Sequence, residues 1–206
     1  MASFETAHMA RFAAQRAAYY GVIACWCIFM VEFLARKLAP QTRESRRDQT
    51  AILGMALQAI GYFMVWVEPV PRAHFSPVMP GSSAVEWGLA VLAVAMAAVS
   101  TWLVDAASRR LGKQWALAAR LVEGHTLIRD GPYCFVRNPI YLGMFGMLLA
   151  TGIVRTPGVQ LLVASLLFVA GTYIRIRSEE RLLRAAFGGE FEAYARNVPA
   201  LIPGVY

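Results

Sequence analysis

Two short stretches of the chain gather most of the side chains able to do chemistry. His125–Tyr141 reads HTLIRDGPYCFVRNPIY and brings histidine, arginine, asparagine and aromatic residues into one connection. Within it, Gly131-Pro132 marks a turn. Asn138-Pro139 marks a helix start, with Asn138 as N-cap and Pro139 at the first helical position. Open N–H groups at a helix start, flanked by aromatic faces, suit a ligand that carries a carboxylate and a purine. The plainer alternative is a connector whose Tyr133, Phe135 and Tyr141 anchor a membrane interface. The second stretch holds Arg175, Arg177, Glu179 and Glu180. Arg175 and Glu179 are four residues apart and share a helix face, while Glu180 points about 100° away. Only one of the two acids is then expected in a site. Here the alternatives are a solvated ion pair on a helix leaving the membrane, or a carboxylate beside a cationic ligand and an arginine beside an anionic one.

These residues must be positioned by apolar helices. A bilayer core about 30 Å thick needs about 20 apolar residues per helix. The expected spans are Ala17–Leu34, Thr50–Val67, Ala84–Val104, Ile140–Val154 and Val159–Ile174. The last two form an antiparallel hairpin across the turn Arg155-Thr156-Pro157-Gly158. Glu32, the one acid of the first span, should face protein or the interface rather than lipid. Arg109–Arg120 reads as an interfacial helix or loop. The tail should form a charged helix at Glu179–Phe187, then a second short helix near Glu190–Asn197. No alternating strand pattern and no GxGxxG occurs. The expectation is an all-α polytopic membrane protein of about five transmembrane helices, folded as one domain over residues 1–206.

Composition agrees. Of 206 residues 58% are hydrophobic and 16% charged, against about a quarter charged in soluble domains, and the mean hydropathy is +0.47. The net charge of +7 raises nucleic acid as a partner. The basic residues, however, lie between the apolar stretches, which anionic headgroups and the positive-inside rule explain better, so no nucleic-acid partner is expected. Arg36, Lys37, Arg43, Arg46 and Arg47 follow the first span, and Arg109, Arg110, Lys113, Arg120, Arg129 and Arg137 follow the third. Arg175, Arg177, Arg181, Arg184 and Arg196 follow the fifth, whereas the intervening loops hold only Arg72 and Arg155. This alternation predicts an N-terminus outside, with both chemical stretches facing the cytoplasm. No removable signal peptide is read at the start. Cys25, Cys27 and Cys134 have neither disulfide nor metal-ligand spacing, so three free thiols and no metal are expected.

The order HTLI, GPY, RNPIY, RIRSEERLL, FG and VPALIP resembles the isoprenylcysteine carboxyl methyltransferase family, which is itself similar to the phospholipid methyltransferases. The likeness covers about residues 121–204, the catalytic region it implies. Residues 1–110 add only a compatible set of spans. The resemblance implies transfer of a methyl group from S-adenosyl-L-methionine to a lipophilic acceptor held in membrane lipid. It assigns His125, Thr126, Leu127, Ile128, Tyr133, Asn138, Pro139, Ile140, Tyr141 and Glu179 to the cofactor, and Arg175 to orientation of the acceptor. Where the family usually has His-Pro-x-Tyr, this chain has Asn138. An asparagine still forms hydrogen bonds but does not titrate near neutral pH, so a proton shuttle there is in doubt.

Methyl transfer needs acceptor and methyl aligned within about 3–3.5 Å, with water excluded. A carboxylate acceptor is ionised already and needs no base, and Arg175 would orient it. An amine or phenol needs a base, for which His125 is the candidate, because His8 and His74 fall outside the two stretches. An apolar acceptor is expected to enter between the third span and the final hairpin. The alternatives within the enzyme class are a prenylcysteine carboxylate, a phospholipid amine, or a small lipophilic molecule methylated on N, O or S. Outside it stand a non-catalytic lipid-binding membrane protein and a transporter. A transporter would place ionisable residues near mid-span, whereas here they gather at the span ends.

Overall fold

The structure, a computed structural model, describes residues 2–38, 44–47, 49–67, 83–115, 120–122, 124 and 126–201. His125, the proline-rich connection after the second span and the last residues of the VPALIP motif lie outside them. Among the described residues the helices are α1 (Ala2–Leu38), α2 (Ala51–Trp66), α3 (Ser83–Leu111), α4 (Pro139–Arg155), α5 (Gly158–Phe187) and α6 (Gly189–Asn197). Ala13–Leu38, Ala84–Gln114 and Gly158–Phe187 are long and apolar enough to cross a bilayer, and α2 and α4 are shorter apolar helices. Outward faces carry Ile52, Phe63, Val91, Trp102, Leu162 and Leu166 in exposed positions. Such large exposed apolar faces need a lipid solvent, and the chain is a multi-pass membrane protein.

Three boundaries differ from expectation, the first being the start of α1 at Ala2 rather than Ala17. Helix α3 runs on past Val104 to Leu111, and α5 passes Ile174 without a break to Phe187, so the charged segment from Glu179 is the end of the fifth span rather than a separate helix. Hydropathy changes where a helix leaves the apolar layer. Arg, Glu, Leu and Ala, which fill RIRSEERLLRAAF, are all strong helix formers and carry the helix on. It stops at Gly188, whose φ of +49° favours glycine and whose N–H bonds the Arg184 carbonyl at 2.9 Å.

The helices alternate in direction. At one end Arg36 of α1 meets Asp105 of α3 at 2.9 Å, and Arg181 of α5 reaches Thr50, just before α2, at 3.5 Å. At the other end Arg155 of α4 donates to the Trp66 carbonyl of α2 at 3.2 Å and covers the Trp66 ring at 4.9 Å. The hairpin between α4 and α5 is therefore present as expected. Its turn lies at the end opposite the basic connections.

Helix α2 packs on α5 through small residues. A Cβ on Gly54 would come within 2.6 Å of the Gly171 carbonyl, and one on Gly61 within 2.8 Å of the Ala164 carbonyl. Bare backbones meet here because lipid supplies no hydrophobic drive between helices, so close van der Waals contact and polar links must hold them. Gly143 lets α4 approach α3 in the same way, since a Cβ there would sit 2.9 Å from the Ser100 carbonyl. Ala14, Ala18 and Val22 of α1 join Ala90, Ala93 and Ala97 of α3 and Met147 and Ala150 of α4 in the main apolar core.

One feature falls outside the all-α expectation. Strands β1 (Glu44–Arg47) and β2 (Arg120–Val122) pair antiparallel, with Glu44 opposite Val122 and Arg47 opposite Arg120. The ribbon ties the connection after α1 to the one after α3. Elements this short carry no readable period, and each exists only by pairing with a partner far away in sequence.

Candidate functional site

At the end where α1, α3 and α5 finish, the helices enclose a cavity of about 370 Å³. The connection between α3 and α4 forms one wall. Thr126, Leu127, Ile128, Tyr133, Asn138, Pro139, Ile140 and Tyr141 all line the cavity, as do Arg175 and Glu179 of α5. His125, alone among the sequence-derived site residues, lies outside the described residues.

The connection is held at several points. Gly131, with φ +60°, opens a short 3-10 turn over Gly131–Cys134. A Cβ there would also lie 3.1 Å from Nε of Arg110, which binds Asp130 at 2.7 Å. This glycine thus serves both the turn and the close approach to α3. Tyr133 is buried, and its carbonyl accepts a hydrogen bond from the Tyr194 hydroxyl of α6 at 2.6 Å. Burial, with the Glu179 carboxylate nearby, pushes the Tyr133 phenol well above its ordinary range; burial likewise pushes Tyr194 up to about 12, against the pull of Arg137. Both phenols therefore stay protonated at neutral pH and act as donors, not bases. Gln114 grips Thr126 twice, accepting from its backbone N–H at 2.7 Å and donating to its hydroxyl at 3.1 Å.

Facing this wall, Glu179 accepts a hydrogen bond from the Tyr141 hydroxyl and lies 3.9 Å from Arg175. The Arg175 guanidinium stacks over the Tyr141 ring at 4.8 Å and donates to Gln58 of α2 at 2.8 Å. Gln58 in turn donates to Thr172 at 2.8 Å. Arg175 is buried, so the solvated ion pair considered for this helix face does not form. The chain Thr172–Gln58–Arg175 instead fixes the guanidinium against the ring and the acid.

Glu180 also reaches the cavity, contrary to the expectation that one acid alone would do so. Its carboxylate is engaged by Arg137 at 2.9 Å and Arg184 at 3.0 Å. Arg137 donates further to the carbonyls of Ala195 and Val198, and its N–H to the Pro199 carbonyl at 2.9 Å. Asn138 stands at the N-cap position of α4, but its side chain makes no capping bond. Its amide donates to the Ala200 carbonyl at 2.9 Å. Arg137 and Asn138 together pin the chain after α6 beside the cavity.

Helices α3 and α4 pack tightly on the side where the acceptor's entrance was expected. A Cβ on Gly143 would lie 2.6 Å from Val104 of α3, and the two helices meet backbone to side chain along this line. On the α1 side, Met30 lines the cavity and is itself 45% exposed. Sequence reasoning missed Gln58, Gln114, Arg137 and Tyr194. A glutamine in the middle of an apolar span was a legible signal for Gln58. The other three depend on contacts between distant segments and carry no local mark.

Comparison with known proteins bears on the same region. The family described as "Phospholipid methyltransferase" matches residues 89–190, from α3 through α5 into α6. The chain is 36% identical over 87 residues to "Protein-S-isoprenylcysteine O-methyltransferase" of Schizosaccharomyces pombe, covering 42% of this chain and 37% of that protein. It is 36% identical over 98 residues to "Cobalt-zinc-cadmium resistance protein CzcN" of Cupriavidus metallidurans, covering 45% of this chain and 43% of that protein. The matches thus span about two fifths of the length of these relatives. The chain belongs to the phospholipid methyltransferase family, as the order of its motifs led one to expect.

Proposed function

We propose that this protein transfers a methyl group from S-adenosylmethionine, the methyl donor of its family, to a lipophilic acceptor that reaches the cavity from the membrane. The observation that carries this reading is the meeting of two distant segments. Residues 126–141 and Glu179 of α5 line one cavity, with a carboxylate, aromatic faces and a helix start together. That donor set fits a cofactor bearing a cationic sulfur, a purine and a carboxylate. The volume of about 370 Å³ lies within the range of about 300–1,000 Å³ usual for small-molecule sites.

When bound, the cofactor supplies an electrophilic methyl group, which leaves its sulfur as the acceptor's lone pair forms the new bond. The protein holds, orients and dries. Glu179, kept in place by Tyr141 and Arg175, is assigned to the cofactor together with Thr126, Leu127, Ile128, Tyr133, Asn138, Pro139, Ile140 and Tyr141. The Asn138 amide donates to the Ala200 carbonyl and holds that segment beside the cavity, a role that needs no titrating group. Arg175 is assigned to orienting the methyl-accepting head, and His125 remains the candidate base for an acceptor that must lose a proton. The alternating charge of the connections supports a cytoplasmic site, the side from which a water-soluble cofactor arrives. A prenylcysteine carboxylate and a phospholipid amine are the acceptor classes suggested by the names of the relative and of the family.

Calorimetric titration of S-adenosylhomocysteine into the purified protein tests the assignment. Glu179→Ala and Tyr133→Ala should each abolish measurable binding while the protein stays folded. Wild-type affinity in both would reject it. Incubation with radiolabelled methyl donor and fractionated membrane lipids, with a prenylcysteine analogue included, then asks which fraction acquires label.

A further inference from the structure

The cavity wall contributed by α1 lies wholly outside the residues that match the family. Its rings are Trp26, Phe29 and Phe33, joined by Tyr62 of α2 and by Trp115, and Met30 and Arg36 line the cavity beside them, the Arg36 guanidinium held by Asp105. Trp26 meets Tyr62 edge-on at 5.4 Å, and Phe33 meets Trp115 at 5.5 Å. Among these rings sits one carboxylate, Glu32. Its Oε2 is buried and has no hydrogen-bond partner among the described residues. The neighbouring acid is different in kind. Asp105 is engaged by Arg36 at 2.9 Å and by Arg109 at 2.5 Å, so its charge is balanced within the fold.

A carboxylate oxygen removed from water and given no donor by its own fold is costly to keep, unless a ligand supplies the donor. Aromatic faces around it favour a cationic or hydrogen-bonding head and repel an anion. A carboxylate head entering here would meet Glu32 and an Asp105 whose arginines are already engaged. Met30, which lines the cavity and is 45% exposed on α1, puts this wall next to the lipid from which an apolar chain would come. We propose that the α1 wall is the acceptor's head subsite, and that Glu32 selects lipophilic molecules presenting an N–H or O–H donor over carboxylates. The subsite is the acceptor's by virtue of the methyltransferase reading above; its preference for donor-bearing heads rests on the wall itself, and it replaces the carboxylate-orienting role of Arg175, leaving that guanidinium to Tyr141, Glu179 and Gln58.

The test uses the full chain in phosphatidylcholine nanodiscs without cofactor and three probes of equal chain length: dodecylamine, 4-dodecylphenol and dodecanoate. Binding is read from quenching of the cavity tryptophans. The wild type should bind the amine and the phenol about tenfold or more tighter than dodecanoate. Glu32→Gln should weaken the amine about tenfold and spare the phenol, because the amide oxygen still accepts a hydrogen bond. Glu32→Leu should weaken both. Should Glu32→Leu fail to fold, the isosteric Gln variant decides. Unchanged amine and phenol affinities in the folded variants, or tightest binding of dodecanoate by the wild type, would overturn the proposal. Titration with S-adenosylhomocysteine in the same discs separates the two readings. Wild-type protein that fails to bind it removes the methyltransferase reading, and the probe series still judges Glu32.

Discussion

Helix α2 and the C-terminal half of α1 border the same cavity and are built in opposite ways. Helix α2 meets α5 backbone to backbone at Gly54, Gly61 and Gly171, and its single buried amide, Gln58, is spent on Thr172 and Arg175. Helix α1 packs closely at Gly21, where a Cβ would lie 2.6 Å from Val94 of α3. From Trp26 onward it meets its neighbours through edge-on rings and leaves a hollow between them. Contact between backbones allows almost no adjustment, whereas rings at the border of a cavity can be exchanged with little strain. The first arrangement fixes charged groups to within a hydrogen bond. The second leaves room for a molecule.

The contrast can be broken most severely at Gly54. Gly54→Leu forces a side chain into the space of Arg175 Cγ, 2.5 Å from where a Cβ would lie, and should cost about 3 kcal/mol or more in unfolding. Gly88→Ala, where nothing lies within 4 Å, should be neutral or stabilising in the same thermal or denaturant scan. Equal effects would mean that the α2–α5 contact is not the rigid one. A smaller loss is expected at Gln58. Gln58→Leu keeps the volume but strands Thr172 and the Arg175 contact, at a cost of about 1–3 kcal/mol, and weakens S-adenosylhomocysteine binding less than Glu179→Ala does. Unaltered cofactor-product affinity would detach α2 from the site. The smallest change belongs to α1. Phe33→Leu should cost less than about 1.5 kcal/mol while shifting preference towards bulkier acceptors, measured across a homologous series of alkyl probes. An unmoved size preference would reduce this wall to packing alone.

Much of this could be read from residue order. The apolar stretches and the Arg155–Gly158 turn specify the five apolar helices, three of them long enough to cross a bilayer, and the final hairpin, because each depends on local composition and length alone. Arg175 and Glu179 stood out by their four-residue spacing and Tyr133 and Tyr141 by the turn and helix start beside them, whereas Thr126, and the assignment of these residues to a cofactor, came only from the resemblance in motif order. Asn138 was legible as a helix start and misread in its contact, since the Ala200 carbonyl that takes its amide belongs to a segment folded back by α6. Helix ends were misjudged where charge was taken for termination. In α5 it is Gly188, not the charged residues before it, that stops the helix.

Local order therefore marked which segments are helices, which of them are apolar, and which two stretches gather the chemically able side chains. Only the tertiary structure decided that these stretches share a cavity, that Arg137 and Gln58 hold it together, that α3 and α4 pack tightly beside it, and that Glu32 Oε2 has no hydrogen-bond partner among the described residues. The physical reason is range. Hydropathy and helix propensity act over a few residues, whereas a buried charge acquires its meaning from partners that the chain brings beside it only after folding.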